Sequence, residues 1–222
     1  MHPVLFKWLS LIWPIREARI AGKRGPIDLT WENGRRVVNT SNANQSYGAL
    51  HRVWRYCFND LELRRNPPRA VLILGFGGGS AAHILRYEMG LNCHIVGVDD
   101  DPAMLELARN AFGWKNAGGV ELHLADATRW VHQQSRRFDL IVVDLFDDRR
   151  FIEGILTPTF LQGLTELVGS GGCILLNTMV FDEESRFRSA RLGQELRLLF
   201  NQVNEARYDG NNRVFIALWT GT

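Results

Sequence analysis

The sequence predicts an α/β fold with a doubly wound, Rossmann-like sheet. From residue 69 onward, short apolar runs alternate with segments of helical periodicity, which is the pattern of consecutive strand–helix–strand units. The first run, at 70–76, shows no polar alternation, as expected for a parallel strand that is buried on both faces. It leads into a loop with four glycines in five positions, 75–79, where a ligand can approach bare backbone.

Turn signals and apolar runs predict the order of the elements. A β-hairpin is expected over 27–39, because Asn33-Gly34 is a two-residue turn signal between β-forming residues. A helix within 46–63 ends before two prolines. The later strands are predicted, with the last one antiparallel, at 70–76, 93–99, 120–126, 138–144, 172–177 and 213–219.

Three of the predicted helices carry recognisable start or stop signals. Ser80 is expected to cap the helix that follows the glycine loop, and Gly90 to end it. Asp101-Pro102 and Thr157-Pro158 each give an N-cap residue followed by proline at the first helical position. A long helix is predicted over 183–200.

Two regions are expected, an N-terminal apolar segment with the β-hairpin at 1–46 and the α/β domain at 47–222. The apolar segment is short and is interrupted by Lys7, Ser10 and Pro14, so it predicts neither a membrane-spanning helix nor a secretory signal. We interpret it as a packing or dimerisation segment, with a membrane-surface contact as the alternative. A homodimer is therefore one expectation.

Composition narrows the classes of function. The chain has 222 residues, 45% hydrophobic and 23% charged, which suits a globular protein that buries a core without metals or disulfides. The net charge of +2 gives no reason to expect nucleic acid binding, although residues 1–36 carry seven Lys/Arg against three Asp/Glu. Three widely spaced cysteines indicate free thiols and a cytoplasmic protein. The scattered histidines predict no metal site.

Distinctive residues end the first four strands, on the side where ligands bind in doubly wound sheets. They are Gly75, Gly77, Gly78 and Gly79 after the first strand, then Asp99, Asp126 and Asp144. Each aspartate alone could simply cap the helix that follows it. Three in succession beside a glycine loop favour a ligand site.

The chemistry of these groups suits a nucleoside. Asp99, with Asp100 beside it, can accept hydrogen bonds from ribose hydroxyls. Asp126 can accept from the exocyclic amine of an adenine, and the N–H of Ala127 can reach a ring nitrogen. Asp144 ends the fourth strand, closest to where reacting atoms would lie.

The acidic surroundings of the loop discriminate between cofactors. The NAD(P) fingerprint needs a third glycine where this chain has Ser80, and the cofactor's phosphates would be repelled by the aspartates. The sequence contains no P-loop motif. A sulfonium cation with an adenosine moiety suits acidic walls, so S-adenosylmethionine (SAM) is the expected cofactor.

Four segments, in this order, resemble the spermidine synthase family of class I SAM-fold transferases: VLILGFGGGS, GVDDDPAMLELAR, LADATRWV and FDLIVVDLFDD. The resemblance is strongest to short, spermidine-synthase-like bacterial proteins that are often described as methyltransferases. It implies a Rossmann-like SAM-methyltransferase sheet, with 47–222 as the SAM-binding transferase domain. It also implies that the glycine loop, Asp99 and Asp126 bind the cofactor.

The family's strand-four motif, D-x-x-D-P, corresponds to 144–148 of this chain. The resemblance places Asp144 and Asp147 on its two aspartates, with Asp147 as the catalytic base and Asp144 orienting it or contacting the cofactor. Tyr47 matches the tyrosine that closes over the site. Asp148 replaces the proline and could help Asp147 to hold a cationic substrate.

Position 78 departs from the aminopropyltransferases, which carry an aspartate in that loop. Their carboxylate faces the ammonium of decarboxylated SAM. Gly78 removes this attraction, and it also removes a repulsion against the carboxylate that intact SAM retains. The sequence therefore predicts methyl transfer from SAM to an unidentified acceptor, such as a cationic amine. Aminopropyl transfer from decarboxylated SAM to a polyamine, and a non-catalytic nucleoside-binding module, are the alternatives.

Overall fold

The computed structural model describes residues 3–40, 44–46, 49–147, 150–151, 153–208 and 210–221. Two of the predicted site residues, Tyr47 and Asp148, lie outside these ranges. No helix in the described ranges combines the length and the apolar character needed to span a membrane.

The N-terminal region consists of a short helix and a four-stranded antiparallel sheet whose strands lie in chain order. Its elements are α1 (Pro3–Leu9), β1 (Ile15–Gly22), β2 (Gly25–Glu32), β3 (Arg35–Thr40) and β4 (Asn44–Ser46). The predicted hairpin is confirmed as β2 and β3, because Glu32 pairs with Arg35 and the two residues between them, Asn33 and Gly34, have φ of 51° and 75°. The flanking strands β1 and β4 were not predicted.

The main sheet contains seven strands. They are β5 (Ala70–Leu74), β6 (His94–Asp99), β7 (Val120–Leu124), β8 (Phe138–Val143), β11 (Val168–Met179), β12 (Gln202–Tyr208) and β13 (Asn212–Leu218). A two-stranded hairpin, β9 (Phe146–Asp147) and β10 (Arg150–Phe151), follows β8.

The strand order in the main sheet is β12-β13-β11-β8-β5-β6-β7. Strands β7, β6, β5, β8 and β11 pair in parallel, and β13 runs antiparallel to both of its neighbours. The prediction of a mostly parallel, Rossmann-like sheet with a late antiparallel strand is confirmed. The outermost strand, β12, was not predicted.

Helices connect these strands. They are α2 (Ala49–Asp60), α3 (Ser80–His83, continued by a π-helical segment at Ile84–Glu88), α4 (Pro102–Asn110), α5 (Ala127–Trp130), α6 (Pro158–Leu167) and α7 (Glu183–Leu199). Short 3-10 turns occupy Trp114–Asn116, Val131–Gln133 and Glu153–Leu156.

Alternate residues of β5 belong to two separate buried clusters. Leu72 and Leu74 pack in the cluster that includes α6 and α7, whereas Val71 and Ile73 pack in the cluster that includes α2 and α3. Strand β5 is therefore covered on both faces, as its uninterrupted apolar sequence predicted. A third cluster joins β2 and β3 to α4, so the N-terminal sheet packs beside the helix that follows β6.

The helix caps confirm two local predictions and overturn one. Asp101 and Thr157 accept hydrogen bonds from backbone N–H groups in the first turns of α4 and α6. The prediction that Ser80 caps α3 is wrong: Ser80 is the first residue of this helix, and Gly79, at φ 87°, takes the cap position. A Cβ at position 79 would lie 2.3 Å from Nε1 of Trp114, so the close packing of this indole requires glycine there.

Candidate active site

The glycine loop at 75–79 joins the carboxyl end of β5 to α3 and lies between the ends of β6 and β8. The N–H groups of Gly75 and Phe76 both donate to Val98 O, at 2.9 and 3.0 Å. Gly75 has φ 85°, and a Cβ there would lie 2.2 Å from Asp144 O. Only glycine allows this approach, so the backbones of both neighbouring strands hold the loop in place.

Asp99 ends β6 and ties its carboxylate to the glycine loop. Its Oδ2 accepts a hydrogen bond from Gly77 N at 2.8 Å, and its Oδ1 accepts one from Asp101 N at 3.0 Å. Burial raises the pKa of Asp99 to about 6, although the two N–H donors favour the charged form. The carboxylate has further lone pairs for the ribose hydroxyls that the sequence predicted as its ligands. The structure thus brings Gly77 and Asp99 together.

Asp100 is oriented towards the N-terminal sheet. It accepts hydrogen bonds from Lys23 Nζ at 2.6 Å and from both terminal nitrogens of Arg24, at 2.7 and 2.6 Å. Burial disfavours its charge, but the bonds from these two cations outweigh that effect and keep the pKa of Asp100 below its usual value. The described contacts of Asp100 are therefore with the turn between β1 and β2.

Asp126 follows β7 and caps α5. Its Oδ1 accepts from Thr128 N at 2.8 Å and from Thr128 Oγ1 at 2.6 Å. The side-chain hydrogen bond from Thr128 holds the pKa of Asp126 below its usual value. Asp126 is exposed and Ala127 is buried. The capping role that the sequence left open is thus present, and a contact of either residue with adenine stays a prediction.

Asp144 follows β8 and lies in a cluster of polar side chains. Its Oδ2 accepts from Trp54 Nε1 at 3.1 Å and its Oδ1 accepts from Asn177 Nδ2 at 3.0 Å. Desolvation raises the pKa of Asp144 to about 6 in spite of these two donors. The same Nδ2 donates to Asn212 Oδ1 at 3.3 Å. We call these four residues the Asp144 cluster.

Asp147 lies in β9, where its backbone pairs with that of Arg150 in β10. Asp147 therefore belongs to a short hairpin in the segment that follows β8. The orientation of its side chain lies outside the described part of the structure. Its predicted role as a base stays a prediction, as do the roles of Tyr47 and Asp148.

Two residues at this edge of the sheet were missed by the sequence reasoning. Trp114 Nε1 donates to Gly78 O at 3.1 Å, and the indole packs edge-to-face on Phe76 at 5.7 Å between ring centroids. No local signal connects Trp114 with the loop. Asn177, in contrast, ends the apolar run of the fifth predicted strand, and the strand-end criterion used for the aspartates would have found it.

The arrangement combines a backbone-lined loop after β5 with carboxylates at the carboxyl ends of β6 and β8. Carboxylates can accept from ribose hydroxyls and can attract a sulfonium, and Asp144 is placed to accept a proton. Within the described ranges, no group of three or more His, Cys, Asp or Glu side chains could hold a metal ion.

Comparisons with known sequences agree with this geometry. Residues 68–212 match the family described as a methyltransferase domain. A polyamine aminopropyltransferase of Vibrio vulnificus is 26% identical over 163 residues, which cover 70% of this chain and 52% of that protein. The chain spans about half the length of the first curated relatives that it matches.

Two solved structures share the fold. The spermidine synthase of Thermotoga maritima has a TM-score of 0.72 at 15% identity, with 93% of this chain and 73% of that chain covered. The human methyltransferase-like protein 13, solved in complex with SAH, has a TM-score of 0.63 at 22% identity, with 78% and 83% covered. The resemblance to a spermidine-synthase-like scaffold is confirmed at the level of the fold.

The family match runs from just before β5 to the first residue of β13, so it contains the glycine loop, Asp99, Asp126 and Asp144. The predicted class, a SAM-dependent transferase, is confirmed by this match. With 68–212 matched out of 222 residues, the chain belongs to the methyltransferase domain family.

Proposed function

We propose that this chain transfers the methyl group of SAM to an acceptor, with the reaction centre at the carboxyl ends of β5 and β8. The observation that carries the proposal is Gly78. Three other glycines of the loop have positive φ but Gly78 does not, so its backbone conformation does not demand glycine. A side chain is thus missing there without a conformational need, and this suits the carboxylate that intact SAM retains.

Aminopropyl transfer from decarboxylated SAM is the second candidate. A relative from Vibrio vulnificus is named a polyamine aminopropyltransferase, and Asp147 with Asp148 forms an acidic pair in the sequence that suits a cationic amine. The loop of this chain lacks the carboxylate that would face the ammonium of decarboxylated SAM. We therefore favour methyl transfer, and a cationic amine is the acceptor class that the acidic pair supports.

In the proposed complex, the glycine loop lies against the methionine part of SAM and Asp99 accepts from the ribose hydroxyls. Asp126 and Ala127 face the adenine. Asp100 supports this site indirectly, because Lys23 and Arg24 occupy its carboxylate. The acidic surroundings stabilise the sulfonium before transfer.

Methyl transfer is an in-line displacement at carbon. The lone pair of the acceptor forms the new bond to the methyl carbon while the bond from that carbon to sulfur breaks, and the sulfur keeps the electron pair. Positioning the two reactants is the enzyme's main contribution. An amine acceptor, with an ordinary pKa of about 10, must lose a proton before it attacks.

We propose that Asp144 accepts this proton. Its pKa of about 6 leaves it charged at neutral pH, and this value lies closer to neutral pH than the pKa of an ordinary aspartate, as suits a general base. Asp147 then holds the acceptor. The opposite assignment, with Asp147 as the base, is the one that the resemblance implies.

Replacing each aspartate by asparagine separates the two assignments. Turnover is measured with methyl-labelled SAM and a panel of primary amines, and SAM affinity is measured by calorimetry. We expect Asp144→Asn to lose turnover by roughly 10²–10⁴-fold while its SAM affinity changes little, because the variant loses a proton acceptor and keeps the loop. Loss of turnover in Asp147→Asn alone would reverse the two roles. Full turnover in both variants would remove the aspartate base from the mechanism.

We also propose an oligomeric state, a cellular location and a division into two regions for this chain. The exposed apolar segment on α1 supports a homodimer, and the three cysteines, all free thiols in the structure, support a cytoplasmic location. The division into an N-terminal region at 1–46 and a transferase domain at 47–222 is retained as a proposal.

A further inference from the structure

Asn177 is a buried amide beside Asp144 to which the proposed chemistry assigns no part. It lies on β11, between β8 and β13, and 1% of its surface is exposed. Its Nδ2 donates to Asp144 Oδ1 at 3.0 Å and to Asn212 Oδ1 at 3.3 Å. Because both partners are oxygen acceptors, the amide must present its nitrogen to them when Asp144 is charged.

The other end of the Asn177 amide has no hydrogen-bond partner among the described residues. Its Oδ1 is buried, and it accepts no hydrogen bond from any residue that the structure describes. Buried polar atoms in native proteins are nearly always hydrogen-bonded, so an exception next to a candidate base needs an explanation. An oxygen without a partner in one orientation of the amide is available for a bond in the opposite orientation.

Protonation of Asp144 creates a use for the opposite orientation. The carboxylate is surrounded by two donors, Trp54 Nε1 at 3.1 Å and Asn177 Nδ2. A protonated carboxyl group instead carries an O–H that needs an acceptor. The indole N–H can only donate, whereas an asparagine amide offers its oxygen after half a turn.

Among the residues that the structure describes, the remaining surroundings of Asp144 offer no competing response. Strand β5 contributes Leu74 O, which already accepts from Asp144 N at 2.8 Å. In the described part of the chain, the surroundings that determine the charge of the carboxyl are its burial, the Asn177 amide from β11 and the Trp54 indole from α2, with no charged side chain among them.

We propose that Asn177 is a positioning residue whose side-chain amide turns by half a rotation when Asp144 takes up a proton. In the charged state, Nδ2 donates to the carboxylate. In the protonated state, Oδ1 accepts from the carboxyl O–H, and the Asn212 amide turns as well so that its nitrogen faces Asn177. The nitrogen and oxygen of an amide are so alike that the turn leaves the packing unchanged.

This device suits a group that receives a proton and later releases it, because one residue stabilises both states of the carboxyl group. The bond balance is simple: the acceptor's N–H bond breaks, its electron pair stays on nitrogen, and the proton forms the O–H bond of Asp144. The catalytic use of the turn rests on the proposed function. The turn itself depends only on protonation of Asp144.

The titration of Asp144 tests the proposal without any acceptor. Aspartate carboxyl carbons are labelled with ¹³C, the signal is identified with Asp144→Asn, and its position is followed across the pH range around 6. Asn177→Leu removes both the donor and the acceptor while keeping a similar side-chain shape. Thr178→Val is the matched control, because Thr178 is the next residue of β11, is fully buried and bonds to Ser189 Oγ at 3.0 Å.

We expect Asn177→Leu to change the pKa of Asp144 by less than about half a unit, roughly threefold in acid dissociation, because the variant loses the donor to the charged form and the acceptor for the protonated form together; a fixed amide that only donates would give a rise of about one unit. Thr178→Val should leave this pKa unchanged. In the wild type, the side-chain NH₂ signals of Asn177 should shift with the same midpoint as the Asp144 carboxyl. A rise of about one unit in the Asp144 pKa of Asn177→Leu, or NH₂ signals that stay constant through the midpoint, overturns the proposal.

Asn177→Ser provides a second variant in case the leucine disrupts folding, since the serine hydroxyl is too short to replace the amide and the same small change in pKa is expected. Calorimetry with SAM on the same samples distinguishes failure of this proposal from failure of the proposed function. A wild-type chain that binds no SAM would contradict the proposed function, while the titration would still decide the role of Asn177.

Discussion

Aspartates at three strand ends show how burial divides one residue type into different chemical roles. Asp99 and Asp144 lie among packed strands, and desolvation raises the pKa of each to about 6. Asp126 is exposed and hydrogen-bonded by Thr128, so its pKa lies below the usual value. The first two are therefore the groups whose protonation can change near neutral pH.

The raised pKa of Asp144 predicts a pH-dependent effect of Asp144→Asn on stability. The folded-state pKa exceeds the unfolded value, so the stabilisation from this group is complete below pH 4 and is lost as pH rises through 6. The asparagine variant lacks this loss. We expect its free energy of unfolding, relative to wild type, to increase by roughly 2–3 kcal/mol between pH 4 and pH 7.

Urea unfolding of both proteins across this range measures the effect. Asp126→Asn is the contrasting variant: the carboxyl stabilises the fold above its unfolded pKa, so removing it should lower stability near neutral pH and matter less in acid. A difference between Asp144→Asn and wild type that stays constant with pH would show that Asp144 has an ordinary pKa.

Single residues were predictable where the signal was local. Asp101 and Thr157 cap their helices through atoms only two or three residues away. Ser80 failed as a cap because the conformation of Gly79 is tied to the indole of Trp114, which is distant in sequence. The links of Asn177 to Asp144 likewise join two strands, so only the strand-end position, and no local motif, could have identified this residue.

At the scale of elements, the turn between β1 and β2 holds the loop that follows β6. Lys23 Nζ and the Arg24 guanidinium bind the Asp100 carboxylate, and Lys23 N donates to Asp101 Oδ2 at 2.8 Å. Asp99 lies beside these two aspartates and contacts the glycine loop. The N-terminal sheet therefore supports the proposed ribose site.

Removing the two cations should loosen this support. We expect the double variant Lys23→Ala, Arg24→Ala to bind SAM about fivefold more weakly, on the order of 1 kcal/mol, because Asp100 loses its partners and the loop becomes less fixed. Calorimetry measures the affinity. Arg19→Ala is the control, since Arg19 pairs with Asp28 at 2.7 Å within the same sheet. Equal affinities in the double variant and the control would contradict the coupling.

Elements with strong periodicity were predictable, whereas the edge strands β1, β4 and β12 were not. The apolar sequence of β5 indicated a strand covered on both faces, and its two clusters confirm this. Strand β12 lies at one edge of the main sheet and pairs with β13. It is exposed at Gln202, Asn204, Glu205 and Arg207, and its sequence QVNEARY carries little apolar signal. Its position depends on its antiparallel pairing with β13, the next strand of the chain.

At the scale of the whole molecule, an exposed apolar surface covers α1 and the turn after it. It comprises Val4, Leu5, Trp8, Leu9, Leu11, Ile12 and Trp13. The segment is fixed, because Ser10 Oγ accepts from Gly34 N at 3.0 Å and Ser10 O accepts from Asn33 N at 3.0 Å. Ordered apolar surfaces of this kind mark sites of association, which supports the proposed homodimer.

If this surface forms a homodimer, introducing charged residues on it should lower the molar mass measured in solution. Ile12 and Trp13 are 86% and 75% exposed, so Ile12→Glu with Trp13→Glu should leave the fold intact and convert a dimer into a monomer in light scattering. Leu198→Glu is the matched control, because Leu198 is 80% exposed on α7 and should stay dimeric. A wild-type chain that is monomeric at micromolar concentration would contradict the homodimer.

The central claim of methyl transfer depends on which cofactor the chain prefers. The most direct measurement is the ratio of the calorimetric dissociation constants for SAM and decarboxylated SAM, in the wild type and in Gly78→Asp. We predict that the wild type binds SAM at least about tenfold more tightly than decarboxylated SAM, a difference of roughly 1.4 kcal/mol. Gly78→Asp should shift this ratio towards decarboxylated SAM, because the new carboxylate attracts the ammonium of decarboxylated SAM and repels the carboxylate of SAM. A wild-type preference for decarboxylated SAM would contradict methyl transfer and would support aminopropyl transfer instead.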